Sequence, residues 1–161
     1  MQDIKRKLFD DLNKVCESLD RRFDVNSGGC CYVAYCIAYY LDKFGIKYSL
    51  KCCDDDVKRN NKAIINEIRS MDRNTTDETS ICGIHTVEHY YIHINHYGDV
   101  NLTDEYWDCE EYTIPSINYT HIKWIYDNGD WNPHYDVHDN KKVKRAIYNI
   151  FKKYGKEIKR G

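Results

Sequence analysis

Gly28 and Gly29 lead directly into Cys30, which opens the most apolar stretch of the chain, CCYVAYCIAYYLDKF. Val33, Ala34, Ile37, Ala38 and Leu41 recur at helical spacing, so residues 30–44 read as a buried central helix with Gly45 as its C-cap. A thiol in the first turn of such a helix meets unpaired N–H groups and the positive end of the peptide dipoles. Both favour thiolate, the nucleophilic form, so the position predicts a lowered pKa for Cys30. The glycines before it would let a substrate backbone approach closely. Cys31 is the neighbouring alternative, turned about 100° around the helix. Cys36 lies inside the helix, Cys52 and Cys53 end a strand, and Cys16, Cys82 and Cys109 are isolated. None of the eight forms a C-x-x-C pair, so neither a structural metal site nor any other cofactor is expected.

A cysteine nucleophile needs a base, and the base needs a partner that orients it. His89 opens a run, residues 89–95, that alternates as a strand does, and residues 100–103 form a second run. A turn centred on Tyr97-Gly98 would pair residues whose numbers sum to about 195, which sets Tyr106 opposite His89 and Asp104 diagonally beside it. Asn101 then faces away. A one-residue shift of the turn reverses that choice and brings Asn101 to the His89 side. His85, His89 and His93 repeat every fourth residue, a metal stripe on a helix. On a strand at ~3.3 Å per residue, His89 and His93 stand about 13 Å apart and cannot share an ion.

The elements that must hold these groups follow from periodicity. Ile4, Leu8, Leu12, Val15 and Leu19 mark a first helix ending before Arg21-Arg22. Residues 46–53 read as a strand closed by an acidic turn, residues 57–71 as a helix, and residues 72–80 as a polar loop. Residues 104–120 carry no clear pattern. Residues 121–126 (HIKWIY) read as a strand, residues 127–139 as a loop, and residues 141–154 as a basic terminal helix. The class is α+β, with helices early and a small antiparallel sheet late.

With 161 residues and no internal linker, the chain reads as one domain over 1–161. Its 24 basic and 26 acidic residues leave a net charge of −2, which excludes a broadly basic nucleic-acid coat. Nucleic acid is accordingly not expected as a partner, and the basic face of the terminal helix reads as solvated. No run approaches the roughly 18 apolar residues of a membrane span, and the charged N-terminus does not resemble a secretory signal. Both point to the cytoplasm, where free thiols are the rule. The 15 tyrosines read as core and rim packing, with the 124–135 segment as an aromatic loop.

The segment NSGGCCYVAYCIAYYLDKFGI resembles the nucleophile helix of papain-like cysteine peptidases and transglutaminase-like proteins. In those families a glycine-preceded Cys starts a central helix, and a His opening a strand follows, with an Asp or Asn beyond it. The resemblance covers about a quarter of the chain. It implies a papain-like core, the central helix packed on a small antiparallel sheet. It also implies Cys30 as nucleophile, His89 as base and acid, and Asp104 (or Asn101) as orienter. No Gln precedes the Cys as it usually does in the papain family; Asn26 is the nearest amide for an oxyanion hole. A cysteine-dependent hydrolase or acyltransferase acting on a protein or peptide is the implied function. A non-catalytic binding protein of the same fold is the alternative. Residue usage resembles that of phage-encoded proteins, which would place the protein in a host cytoplasm.

Overall fold

The computed structural model describes residues 3–54, 89–103, 110–114, 118–128 and 135–160. The helix and loop expected over 57–80 lie outside them. Four α-helices and a four-stranded antiparallel sheet make up the described α+β fold: α1 (Ile4–Phe23), α2 (Cys30–Lys43), β1 (Tyr48–Asp54), β2 (His89–Ile94), β3 (Gly98–Val100), β4 (Glu110–Ile114), α3 (Tyr119–Asn128) and α4 (Asn140–Arg160). A 3₁₀ turn, Val137–Asp139, leads into α4.

Helix α1 begins where Asp3 accepts the Lys5 N–H, 3.0 Å away, and buries Leu8, Leu12, Cys16 and Leu19. It continues through Arg21-Arg22, which were expected to lie beyond its end. The chain stops only at Asp24, in a left-handed conformation (φ 57°). Helix α2 is apolar nearly all round and packs against β2, α3 and α4, so it occupies the centre. It closes as predicted at Gly45 (φ 68°): the Ile46 N–H donates to the Leu41 carbonyl and the Gly45 N–H to that of Asp42.

The sheet order is β3-β2-β1-β4. Tyr90, Ile92 and Ile94 join Leu50, Cys52, Val100 and Ile114 in the core shared with the helices. The other face carries His89, Tyr91, His93, Lys51 and Asp99. There Tyr91 donates to Glu111 at 2.5 Å and His93 to Asp99 at 2.6 Å, while Lys51 lies 3.8 Å from Asp99 and 3.7 Å from Glu111.

Residues 121–126 are helical, against the expected strand. Asn118 is the reason: its side-chain oxygen accepts the N–H groups of Thr120 and His121, capping the first turn of α3. Ile122 and Ile125 then fall on one buried face. Tyr119 and Tyr126 pack on Tyr35, Tyr39 and Tyr32 of α2. Helix α4 is longer than expected at both ends, and the loop expected over 127–139 is shorter among the described residues. No helix among them is long and apolar enough to cross a membrane.

The glycine entry to α2 serves packing as well as chain reversal. A Cβ on Gly29 would stand 2.7 Å from Tyr135 Cδ1 and 2.9 Å from the Val25 carbonyl oxygen. Tyr135, 3% exposed, therefore covers the glycine where a substrate backbone was expected to pass. Its hydroxyl donates to Asn140 at 2.5 Å, which holds the ring against α2. Gly29 itself has an ordinary backbone (φ −106°), so the demand is for space and not for a special torsion. Gly29→Ala should cost about 1–3 kcal/mol by overpacking, read as a lower midpoint in urea at unchanged slope. Unchanged stability would show that the ring has no hold on the turn.

Candidate functional site

The structure brings the start of α2, the start of β2 and the end of β3 to one place. The β2–β3 pairs are Ile92 with Val100, His93 with Asp99 and Ile94 with Gly98. These numbers sum to 192, so the turn occupies Asn95, His96 and Tyr97 rather than centring on Tyr97-Gly98. His96, at φ 71°, makes the reversal. The odd shift reverses the parity and carries Asn101 to the His89 side, the alternative that a displaced turn allowed. Asp104 lies outside the described residues.

Asn101 leaves the strand in a left-handed conformation (φ 69°), which Asn adopts more readily than most residues. Its carbonyl oxygen lies 2.7 Å from Nε2 of His89. The orienting partner is thus the backbone of Asn101, where a side chain was expected. The Asn101 amide instead donates to Oδ1 of Asn26 at 2.9 Å, and its N–H donates to Oδ1 of Asn13 at 3.1 Å. Asn26 in turn donates its backbone N–H to Asp20 at 2.9 Å. Three asparagines and one aspartate therefore tie α1, the α1–α2 turn and the end of β3 around His89. Asn13 was not singled out in the sequence; its place on the polar flank of α1 is the only signal it carries.

The imidazole has a defined tautomer. A carbonyl only accepts, so Nε2 carries the hydrogen and the neutral ring keeps its basic lone pair on Nδ1. His89 is fully buried, which drives its pKa down to about 4, with the Asn101 carbonyl and Asp20 opposing the shift.

Cys30 is 3% exposed at the first turn of α2. The N–H groups of Tyr90, Cys31 and Cys30 itself act on its sulfur. The sulfur thus lies against the peptide that joins His89 to Tyr90. The predicted fall in pKa is not what results. Burial pushes the thiol up, and the N–H groups offset only part of this. Cys31 points elsewhere: its thiol donates to the Ile122 carbonyl at 3.7 Å inside the α2–α3 core, and burial holds its pKa well up. Cys16 and Cys36 are buried with pKa values pushed up to about 12, and Cys52 and Cys53 are buried in β1. His85, Cys82 and Cys109 lie outside the described residues. On the strand His93 is engaged with Asp99.

Beside the asparagines lies a cavity of about 300 Å³ lined by Asn26, Asn101, Asp20, Glu17, Arg21 and Thr103 among others. It adjoins the side of His89 that Asn101 engages.

The buried imidazole links stability to pH. The unfolded chain binds a proton at His89 as pH falls below about 6.5, whereas the folded chain resists until about 4. Its contribution is therefore present above pH ~6.5 and is lost progressively between there and ~4, a total of about 3 kcal/mol. Urea unfolding of the native chain and of His89→Gln should show their stability difference shrinking, or changing sign, across that window. A difference independent of pH would mean that the ring titrates normally in the fold.

No family model matches the chain, and no curated protein or solved structure matches it significantly, so the site stands on its own geometry.

Proposed function

We propose that the protein is a cysteine-dependent hydrolase or acyltransferase of papain-like architecture, with Cys30 as nucleophile and His89 as general base and acid. One observation carries the reading. The Asn101 carbonyl fixes the His89 tautomer with its lone pair on Nδ1, and the sulfur of Cys30 rests on the adjoining peptide. The reading assigns the nucleophile, the base and the support for the base to residues far apart in sequence.

At neutral pH both partners rest uncharged, because burial raises the thiol and lowers the imidazole. Nδ1 takes the thiol proton as sulfur attacks an amide or ester carbonyl, and the imidazolium returns it to the leaving group as the tetrahedral adduct collapses. In this reading N–H groups at the α2 start, which act on the resting sulfur, turn to the oxyanion as it forms. The Nδ2 amide of Asn26 is a second candidate donor, since its Oδ1 is engaged by Asn101. Water or an amine then resolves the thioester. Asp104 remains a candidate to reinforce the orienting role of Asn101. A protein or peptide substrate in the cytoplasm, that of a host if the protein is viral, fits the resemblance of the nucleophile helix.

A second reading has its own support. Cys30 at 3% exposure and His89 at 0% are packed as core residues are. A papain-like binding protein without turnover, such as a viral inhibitor of a host factor, would keep them so.

Alkylation by iodoacetamide at neutral pH, followed by mass spectrometry, separates the two. The catalytic reading requires Cys30 to react faster than Cys16 and Cys36, and requires His89→Ala to slow it by about 10²-fold or more. Reaction of Cys30 no faster than those core thiols would leave it a packing residue. Circular dichroism of His89→Ala guards against loss of fold.

A further inference from the structure

Helix α4 concentrates basic side chains that the chain average hides: Glu157 is its only acidic residue. Their distribution around the helix is uneven in a telling way. Lys142 is held by Asp139 at 3.8 Å and Lys153 by Asp11 at 3.3 Å, both away from α2. Lys141, Lys144, Arg145 and Lys152 form a different row, which lines a groove of about 630 Å³ between α4 and α2. None of these four has an ion pair with a carboxylate among the described residues. A smaller hollow of about 260 Å³ shares Tyr40, Tyr148 and Lys152 and extends the groove toward Lys43 and Lys156.

Two tyrosines interrupt the cationic row. Tyr40 stacks on Phe151 at 5.1 Å and so is fixed from below. Tyr148 lies 5.7 Å from Tyr40 and is 41% exposed, one of two exposed large apolar residues among those described. From Lys141 to Lys156 the row spans about 22 Å at 1.5 Å per residue. Cations strung along a groove suit a succession of phosphates, whereas a single phosphate would call for donors converging on one point. A tyrosine ring set among them offers a face on which a base can stack.

We propose that the α2–α4 groove binds single-stranded nucleic acid, the cations following the phosphates and Tyr148 stacking an unpaired base. A bilayer is the weaker fit. The other exposed large apolar residue among those described, Val137, lies before α4 rather than in the groove, so among the described residues no second exposed large apolar side chain stands beside Tyr148 to enter acyl chains. The proposal is independent of the acyl-transfer reading. Tyr40 stands ten residues along α2 from Cys30, about 15 Å up the axis.

The test is fluorescence anisotropy with the full chain and a labelled oligothymidylate of about 20 nucleotides. Saturable binding is expected at about 50 mM salt, with log K falling against log salt at a slope near −3, for about four phosphates at −0.7 each. Lys144→Glu with Arg145→Glu should weaken binding at least tenfold and flatten the slope. The neutral pair Lys144→Gln with Arg145→Gln should fall between. Tyr148→Ala should weaken binding several-fold with the slope unchanged. Each variant is first checked by circular dichroism; the neutral pair carries the test if charge reversal disturbs the fold.

Lack of saturable binding, or binding indifferent to the charge variants, would overturn the proposal. An unchanged affinity in Tyr148→Ala would reduce the groove to a general polyanion surface and overturn the single-strand assignment, as would tighter binding of a duplex. Displacement of the oligonucleotide by phosphatidylserine vesicles or polyglutamate at equal charge would assign the groove to a membrane or an acidic protein.

Discussion

The burial of most of α2 is the constraint from which the rest of this structure follows. A helix carrying Val33, Ala34, Ile37, Ala38 and Leu41 cannot leave a face in water without forfeiting most of what drives it to fold. The sheet covers one side, and α3 and α4 cover others. A helix enclosed this way also takes its N-terminus inside, where N–H groups without acceptors are costly. The asparagines answer a related need in the neighbouring turn and strand end. Asn26, Asn101 and Asn13 supply short polar side chains that bond to one another and to the backbone. Cys30 is therefore buried because α2 is, whereas His89, on the other face of β2, is covered beside Tyr91 and the Asn101 backbone.

That burial decides the electrostatics. A helix N-terminus contributes at most a couple of kcal/mol to an anion and typically less than one. Removing a thiolate from water costs several. The Cys30 sulfur has the favourable N–H groups and still ends with a raised pKa. His89 moves the opposite way for the same reason. In the proposed acyl transfer both groups would therefore start neutral, and charge would develop only as a carbonyl accepts the sulfur. Any ligand that excludes water yet offers an electrophile would find the tautomer already arranged by Asn101.

The sequence was legible where periodicity was strong. Helices α1 and α2, the glycine stop at Gly45 and the strand opened by His89 are all readable from apolar spacing. The reading failed where one polar atom decides. Asn118 caps α3 and turns HIKWIY into a helix, although its aromatic and β-branched residues suit a strand. The hairpin turn lies over Asn95, His96 and Tyr97, with positive φ at both His96 (71°) and Gly98 (129°), where a turn centred on Tyr97-Gly98 was expected. That displacement exchanges the residue that meets His89. No spacing argument anticipates that a backbone carbonyl holds the His89 ring, since every residue has one. Gly29 shows the converse: its identity was noticed, but its cause is the Tyr135 ring, which reaches it from more than a hundred positions away.

Charge shows the same gap between average and place. A net charge of −2 describes the chain and no particular surface of it. On α4, neutralised lysines face α1 and the 3₁₀ turn, while the row beside Tyr40 and Tyr148 keeps its charge. Like charges along one helix face repel, and each adjacent pair costs a few tenths of a kcal/mol. Acidic residues are plentiful elsewhere in the chain, and one at any third or fourth position of the row would relieve that repulsion. The row contains instead an asparagine, Asn149, and a partly exposed tyrosine, Tyr148. The repulsion gives folding no reason for that choice, and Tyr148, although it packs on Tyr40, keeps 41% of its surface exposed. An anionic ligand lying along the groove would remove both costs at once.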